Sequence, residues 1–182
     1  MKHERDAHHL DLRALARSSG ALSGHDMLAR YERLTKETQG RRVDRLLNWS
    51  ARGEVRADPS GQAQVWLHLR ADTSLPLTCQ RCLGQVDVAV AVNRSFHFVD
   101  DEATAQALDE EVEEDVLVLT SDFCLSDLIE DEVLLALPFA PRHERCPVEV
   151  KLSVEAPDFE ATMTQKQSPF SALHKLRDGK LG

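Results

Sequence analysis

Apolar and polar residues alternate with a period of two from Leu47 to Ala57. Leu47, Trp49, Ala51, Gly53, Val55 and Ala57 share one side, and Asn48, Ser50, Arg52, Glu54 and Arg56 the other. Successive side chains of a strand point to opposite faces, so this stretch predicts a half-buried strand with one solvated face. Asp58-Pro59-Ser60-Gly61 follows as a turn, with Pro presetting φ at the second position and Gly relieving strain at the fourth. Alternation resumes with Val65, Leu67, Leu69 and Ala71 inward and Gln64, Trp66, His68 and Arg70 outward, which predicts an antiparallel hairpin. Beyond Leu75 and Leu77, a third run places Val86, Val88, Val90, Val92, Phe96 and Phe98 on one face, interrupted only by Arg94. Three strands therefore meander past one another.

The period then lengthens. Val116 to Leu119 is a candidate further strand. Leu125, Leu128, Ile129, Val133 and Ala136 recur at helical spacing, with Asp127, Glu130 and Asp131 near the positive end of the dipole and Pro138 as the stop. Their stripe is wide enough to cover one face of the sheet. The expected fold class is α+β: an antiparallel β-meander sheet covered by a helix near 125–138, with polar N- and C-terminal extensions. The expected organisation is a polar extension over 1–42, an α+β core domain over 43–147, and a linker with a C-terminal amphipathic segment over 148–182. Within the first, Gly24-His25-Asp26 would open a short helix through Tyr31 and Leu34, and His3, His8 and His9 belong to a solvated leader. Within the last, Pro169 suits a first helical position, and Phe170, Leu173 and Leu176 fall on one side.

Charge narrows the function classes. The 182 residues carry a net charge of −9, which argues against coating nucleic acid by bulk charge, although a local basic patch is compatible with it. The outward hairpin residues Arg52, Arg56, Trp66, His68 and Arg70 mix positive charge with an aromatic, as single-strand binders do, and Arg41, Arg42 and Arg45 precede them. A solvated sheet face accounts for the same pattern. From Ser95 to Pro141 there is no Lys or Arg, and the acids at Asp100-Asp101-Glu102 and Asp109 to Asp115 read as a solvated run. No apolar run approaches the roughly 18 residues of a membrane span. Met1 to Leu10 lack the apolar stretch of a secretory signal, so the expected compartment is a reducing cytoplasm.

In such a compartment paired cysteines more often bind metal or do redox work than staple a fold. Cys79-Gln80-Arg81-Cys82 sits between two strands, at the spacing that lets two thiolates face one point. His143 and Cys146, after the helix, complete a candidate zinc ligand set of a closed, structural type. A tight turn with two reduced thiols, and a surface histidine, explain the same residues. A dithiol redox role would need a helix N-terminus beside the pair, whereas this pair lies between strands. Cys124, among apolar neighbours, suits the core.

The ordered set formed by Cys79-Gln80-Arg81-Cys82, the acidic-then-apolar helix Asp127 to Pro138, Pro141-x-His143 with Cys146, and Pro169-Phe170-x-x-Leu173-x-x-Leu176 resembles the YceD-like family. The resemblance spans most of 75–178. It implies a role in making or stabilising large-subunit ribosomal RNA, with no catalytic residues to carry over. Some relatives have a fuller cysteine set after the helix, where this chain has His143 and Cys146. Nothing else in the sequence points to an enzyme or to a small-molecule substrate: there is no Gly-rich phosphate loop, no Gly-x-Ser-x-Gly elbow and no His-Glu-x-x-His. The expected function is a non-catalytic factor in 23S ribosomal RNA accumulation, partnered by that RNA or by a ribosome-assembly protein. The alternatives are a zinc- or thiol-dependent interaction module and an acidic scaffold for a basic ribosomal protein.

Overall fold

The computed structural model describes residues 10–58, 61–109, 112, 114–121 and 123–150. The chain divides into two units, Met1–Cys146 and Pro147–Gly182. The first is built, in chain order, from α1 (Leu12–Arg17), β1 (Ala21–Met27), a 3-10 turn (Leu28–Arg30), α2 (Glu32–Glu37), β2 (Leu46–Ala57), β3 (Ala63–Thr78), β4 (Gln85–Val99), α3 (Glu102–Asp109), β5 (Asp115–Val118) and α4 (Leu125–Leu135). Five strands form one sheet in sequence order, β1-β2-β3-β4-β5. The first four pair antiparallel and β5 pairs parallel to β4, so the sheet is mixed rather than a pure meander. A parallel neighbour needs a crossover between the strands, and α3 occupies that connection.

The expected hairpin is present, with Val55 opposite Val65 and Gly53 opposite Leu67. Gly61 at φ +87° donates its N–H to the Asp58 carbonyl, as the turn chemistry requires, while Pro59 and Ser60 lie outside the described residues. Leu47, Ala51, Leu67, Leu69, Ala71, Val90, Val92, Phe96 and Phe98 point into one core with Leu125, Ile129 and Val133 of α4. Each Leu, Ile, Val or Phe among them contributes about 1.5–3 kcal/mol when fully removed from water. The helix ends as expected at its last turn, yet Leu135 and Ala136 point to solvent, and beyond Val133 the cover is continued by half-buried Leu134 and Leu137.

The N-terminal expectation differs from the structure. Residues 12–37 are integral to the core: Leu12, Leu15, Leu28, Tyr31 and Leu34 are buried in the same cluster. Gly24-His25-Asp26 lies within β1, an edge strand paired with β2, rather than opening a helix. Two glycines explain how a polar stretch packs so closely. A Cβ on Gly24 would stand 2.6 Å from the Trp49 ring, and one on Gly53 would stand 2.7 Å from the Ala16 backbone nitrogen. Both positions let an element lie directly on its neighbour. The expected C-terminal segment around Phe170 to Leu176, and His3, His8 and His9, lie outside the described residues.

β3 and β4 outrun the rest of the sheet. β2 reaches β3 only as far as the Asn48–Asp72 pair, while β3 and β4 continue together to Thr78 and Gln85. Pro76 falls in this two-stranded arm, where β3 has only β4 beside it, a position a strand proline tolerates. The turn at the arm's end carries the cysteine pair.

Candidate metal centre

Cys79 immediately follows β3, and the tight turn after it is closed by its own backbone. The Cys79 N–H donates to the Gly84 carbonyl at 2.8 Å and the Leu83 N–H to the Cys79 carbonyl at 2.9 Å. Leu83 takes a φ of +59°, a left-handed conformation that a bulky side chain rarely adopts. The second half of the set comes from the loop after α4. The Gln80 N–H donates to the Pro141 carbonyl at 2.8 Å, joining turn to loop. Arg81 holds the join from the side, with Nη2 donating to the carbonyls of His143 at 2.8 Å and Glu144 at 3.2 Å, and Nε to the Cys146 sulfur at 3.1 Å.

These contacts bring the ligand atoms of Cys79, Cys82, His143 and Cys146 within 4.8 Å of one another. The geometry fits a tetrahedral ion. Zn–S bonds of about 2.3 Å and Zn–N bonds of about 2.05 Å place two sulfurs about 3.8 Å apart and a sulfur and nitrogen about 3.6 Å apart. The Sγ atoms of Cys79 and Cys146 are 3.9 Å apart, and Cys82 Sγ is 3.4 Å from His143 Nδ1. His143 Nε2 lies 2.8 Å from the Gln85 carbonyl, which can only accept, so Nε2 carries the proton and Nδ1 turns its lone pair toward the thiols. All four cysteines of the chain are free of disulfides.

The electrostatics favour thiolate at the buried position. Burial raises the Cys79 thiol, but the backbone N–H groups of Cys82, His143 and Arg81 outweigh it and bring the pKa down to about 5. For Cys82 the Gly84 N–H lowers the pKa, while burial and the neighbouring Cys146 and Cys79 sulfurs raise it further, so the net shift is upward. Sulfurs this close oppose one another's ionisation, and a bound cation would relieve that cost. The arrangement can hold a metal in a closed site with three sulfurs and one nitrogen.

The hairpin residues lie elsewhere, on the sheet face away from the core. Arg52 and Arg70 are exposed, Arg70 donating to Asn93 Oδ1 at 3.2 Å. Trp66 is only 7 % exposed: its ring stacks on His97 at 5.0 Å, and the Arg56 guanidinium lies over it at 4.4 Å. Glu54 takes His68 at 2.8 Å and Arg56 at 3.1 Å, and Ser95 takes His68 at 2.8 Å. Alternation placed Trp66 on the outer face correctly, but its neighbours cover the ring. Arg81 and the Gln85 carbonyl, which hold the candidate ligands in place, are groups that the ligand pattern did not reveal. The position of Arg81 between the two cysteines was the available signal.

No helix among the described residues is long and apolar enough to cross a membrane. Residues 67–177 match the family model of the large ribosomal RNA subunit accumulation protein YceD. The chain belongs to this family. Comparison with curated proteins and with solved structures gave no match. The family segment begins inside β3 and takes in the arm, both candidate ligand loops and α4, whereas α1, β1, α2 and β2 lie before it.

Proposed function

We propose that this protein is a non-catalytic cytoplasmic factor supporting the synthesis, processing or stability of 23S ribosomal RNA, stabilised by a structural zinc ion on Cys79, Cys82, His143 and Cys146. The observation that carries the role is the family match over 67–177. The zinc assignment is supported by the sulfur–sulfur and sulfur–nitrogen separations, and by a ligand set with no open position for catalysis. The experiment is deletion of the protein in its own cell, with both ribosomal RNA pools measured. Large-subunit RNA falls relative to small-subunit RNA, and the wild-type chain restores it; an unchanged ratio would overturn the reading.

A second reading, an acidic scaffold for a basic ribosomal protein, is favoured by one feature. Asp115, Asp131 and Glu132 rim an open groove floored by Phe96, Leu117 and Leu128. Arg94 and Arg33 already pair with these acids, which leaves less charge for a partner. Direct contact with RNA is better supported than the scaffold, with Arg52, Arg56, Trp66, His68 and Arg70 as the hairpin-face candidates. Of these, Arg52 and Arg70 are the groups free to meet phosphate.

A further inference from the structure

The basic residues of this acidic chain are not spread evenly. The sequence from Ser95 to Pro141 carries fourteen acids and no Lys or Arg. The arm's end is the opposite. Arg81 lies in the cysteine turn, and Arg142 and Arg145 stand beside the ligands His143 and Cys146. Arg41 reaches the same end, donating to Thr78 Oγ1 at 3.2 Å. Arg45 donates to Asp87 at 2.6 Å and, with a weaker contribution from Arg42, holds that carboxyl low. The acids at this end are Glu37, Asp44, Asp87 and Glu144, against the six arginines Arg41, Arg42, Arg45, Arg81, Arg142 and Arg145.

Three of these arginines have structural tasks: Arg81 clamps the metal loops, Arg45 pairs with Asp87, and Arg41 is tied to Thr78 and Gln39. Arg42, Arg142 and Arg145 are exposed, and no hydrogen bond or ion pair engages their guanidinium groups among the described residues. Two apolar side chains stand out to water beside them. Phe139 is fully exposed and lines a shallow cleft with Thr78, Gln80, Gln39 and Pro141. Leu83 is 75 % exposed at the tip of the cysteine turn, on a left-handed backbone where glycine would be unstrained.

We propose that this metal-bearing end of the arm is a binding surface for single-stranded RNA, with Arg42, Arg142 and Arg145 meeting phosphates and Phe139 and Leu83 taking the faces of unstacked bases. The inference rests on the ribosomal RNA reading above and gives it a location away from the hairpin face. Single-strand binders combine a positive surface with aromatic platforms, and here both occur within one group of loops. The acidic stretch elsewhere repels the same phosphates, so RNA meets the chain arm first. The metal's part is to hold the turn and the loop as one surface.

The test uses the full chain and a fluorescein-labelled, single-stranded loop fragment of 23S ribosomal RNA, read by fluorescence anisotropy at several salt concentrations. Phe139→Ala weakens binding roughly fivefold or more with an unchanged melting temperature, because the ring is buried against nothing. Arg142→Ala with Arg145→Ala makes the slope of log K against log salt shallower by about 1.4. Leu83→Gly raises the melting temperature by relieving the left-handed strain, yet weakens binding. Arg52→Ala with Arg70→Ala weakens binding less than any arm variant. Wild-type affinity in the arm variants, with loss in the hairpin pair, would overturn the location and leave direct RNA contact standing. Wild-type protein that binds no RNA, while its deletion still lowers 23S RNA in cells, would overturn this surface and leave the cellular role intact.

Discussion

Glu130 of α4 caps α2: its Oε1 accepts the backbone N–H of Arg33 at 2.7 Å and that of Leu34 at 3.1 Å, across more than ninety residues of chain. The first N–H groups of a helix have no partner inside it, and here a buried carboxylate from another helix supplies one. Oε2 also takes Arg33 Nε at 2.9 Å. Glu130→Ala removes all three contacts and strands two amides, at a cost of about 1–3 kcal/mol. Glu130→Gln keeps an acceptor and costs less. Urea denaturation of the two variants gives that order, and equal midpoints would show that water caps α2 just as well.

Zinc content tests the metal centre. Protein prepared under reducing conditions without a histidine tag carries close to one zinc per chain. Cys79→Ser loses both the metal and thermal stability, and a strong chelator does the same to the wild type. Elemental analysis finding traces only, with four freely titrating thiols in the folded protein, would remove the site.

His97 sets a pH dependence. It is buried against Trp66, and burial pushes its pKa down, with Glu114 opposing weakly. The folded-state value is the lower one, so the unfolded chain takes up the proton first. The stability linked to this group is complete above the unfolded value of about 6.5 and is lost as pH falls from there through the folded value. Chemical denaturation of wild type and His97→Phe between pH 7.5 and pH 5, on a scale of about 1.4 kcal/mol per pH unit for one proton, should show the steeper acid loss in the wild type. Parallel curves would assign the acid sensitivity to other groups.

Burial separates two apolar positions on α4. Ile129 is fully buried, and Ile129→Ala costs about 2–5 kcal/mol, enough to reduce cellular abundance and with it any RNA phenotype. Leu135 is 79 % exposed, and Leu135→Ala stays within about 0.5 kcal/mol. Thermal melts and immunoblots of both variants check the contrast.

The meander and α4 were legible because their signals are local: period-two alternation over Val65 to Ala71 and Val86 to Phe98, and helical spacing up to Val133. The buried N-terminal elements were not. Leu12, Leu15, Leu28 and Leu34 are sparse among polar residues, and the close approaches at Gly24 to Trp49 and at Gly53 to the Leu15–Ala16 backbone have no periodicity to detect. The parallel pairing of β5 was hidden as well, since alternation reports which face is buried and not which way the neighbour runs. The four candidate ligand residues were nominated by spacing and residue type, and the structure brings them together. Their convergence depends on the Gln80–Pro141 and Arg81–His143 bonds, which join parts of the chain the sequence keeps far apart. On the hairpin face alternation gave the direction of Trp66 but could not show the Arg56 and His97 side chains that cover it.

The separation of Cys82 and His143, 61 residues along the chain, has a consequence for the order in which the molecule is built. Cys79 and Cys82 come together as soon as the β3–β4 hairpin closes, a local event on the microsecond scale. His143 and Cys146 reach them only after α3, β5 and α4 have been laid down and the loop after α4 has been drawn back to the arm. A chain caught before that step offers a cation two thiols, and only the finished chain offers four ligands. High-affinity occupancy of the proposed site would thus record that the last helix has docked, and the ion would mark completed assembly. Cobalt added during refolding would display this directly, its tetrahedral absorption rising with the slow burial of α4 and not with the early closure of the hairpin.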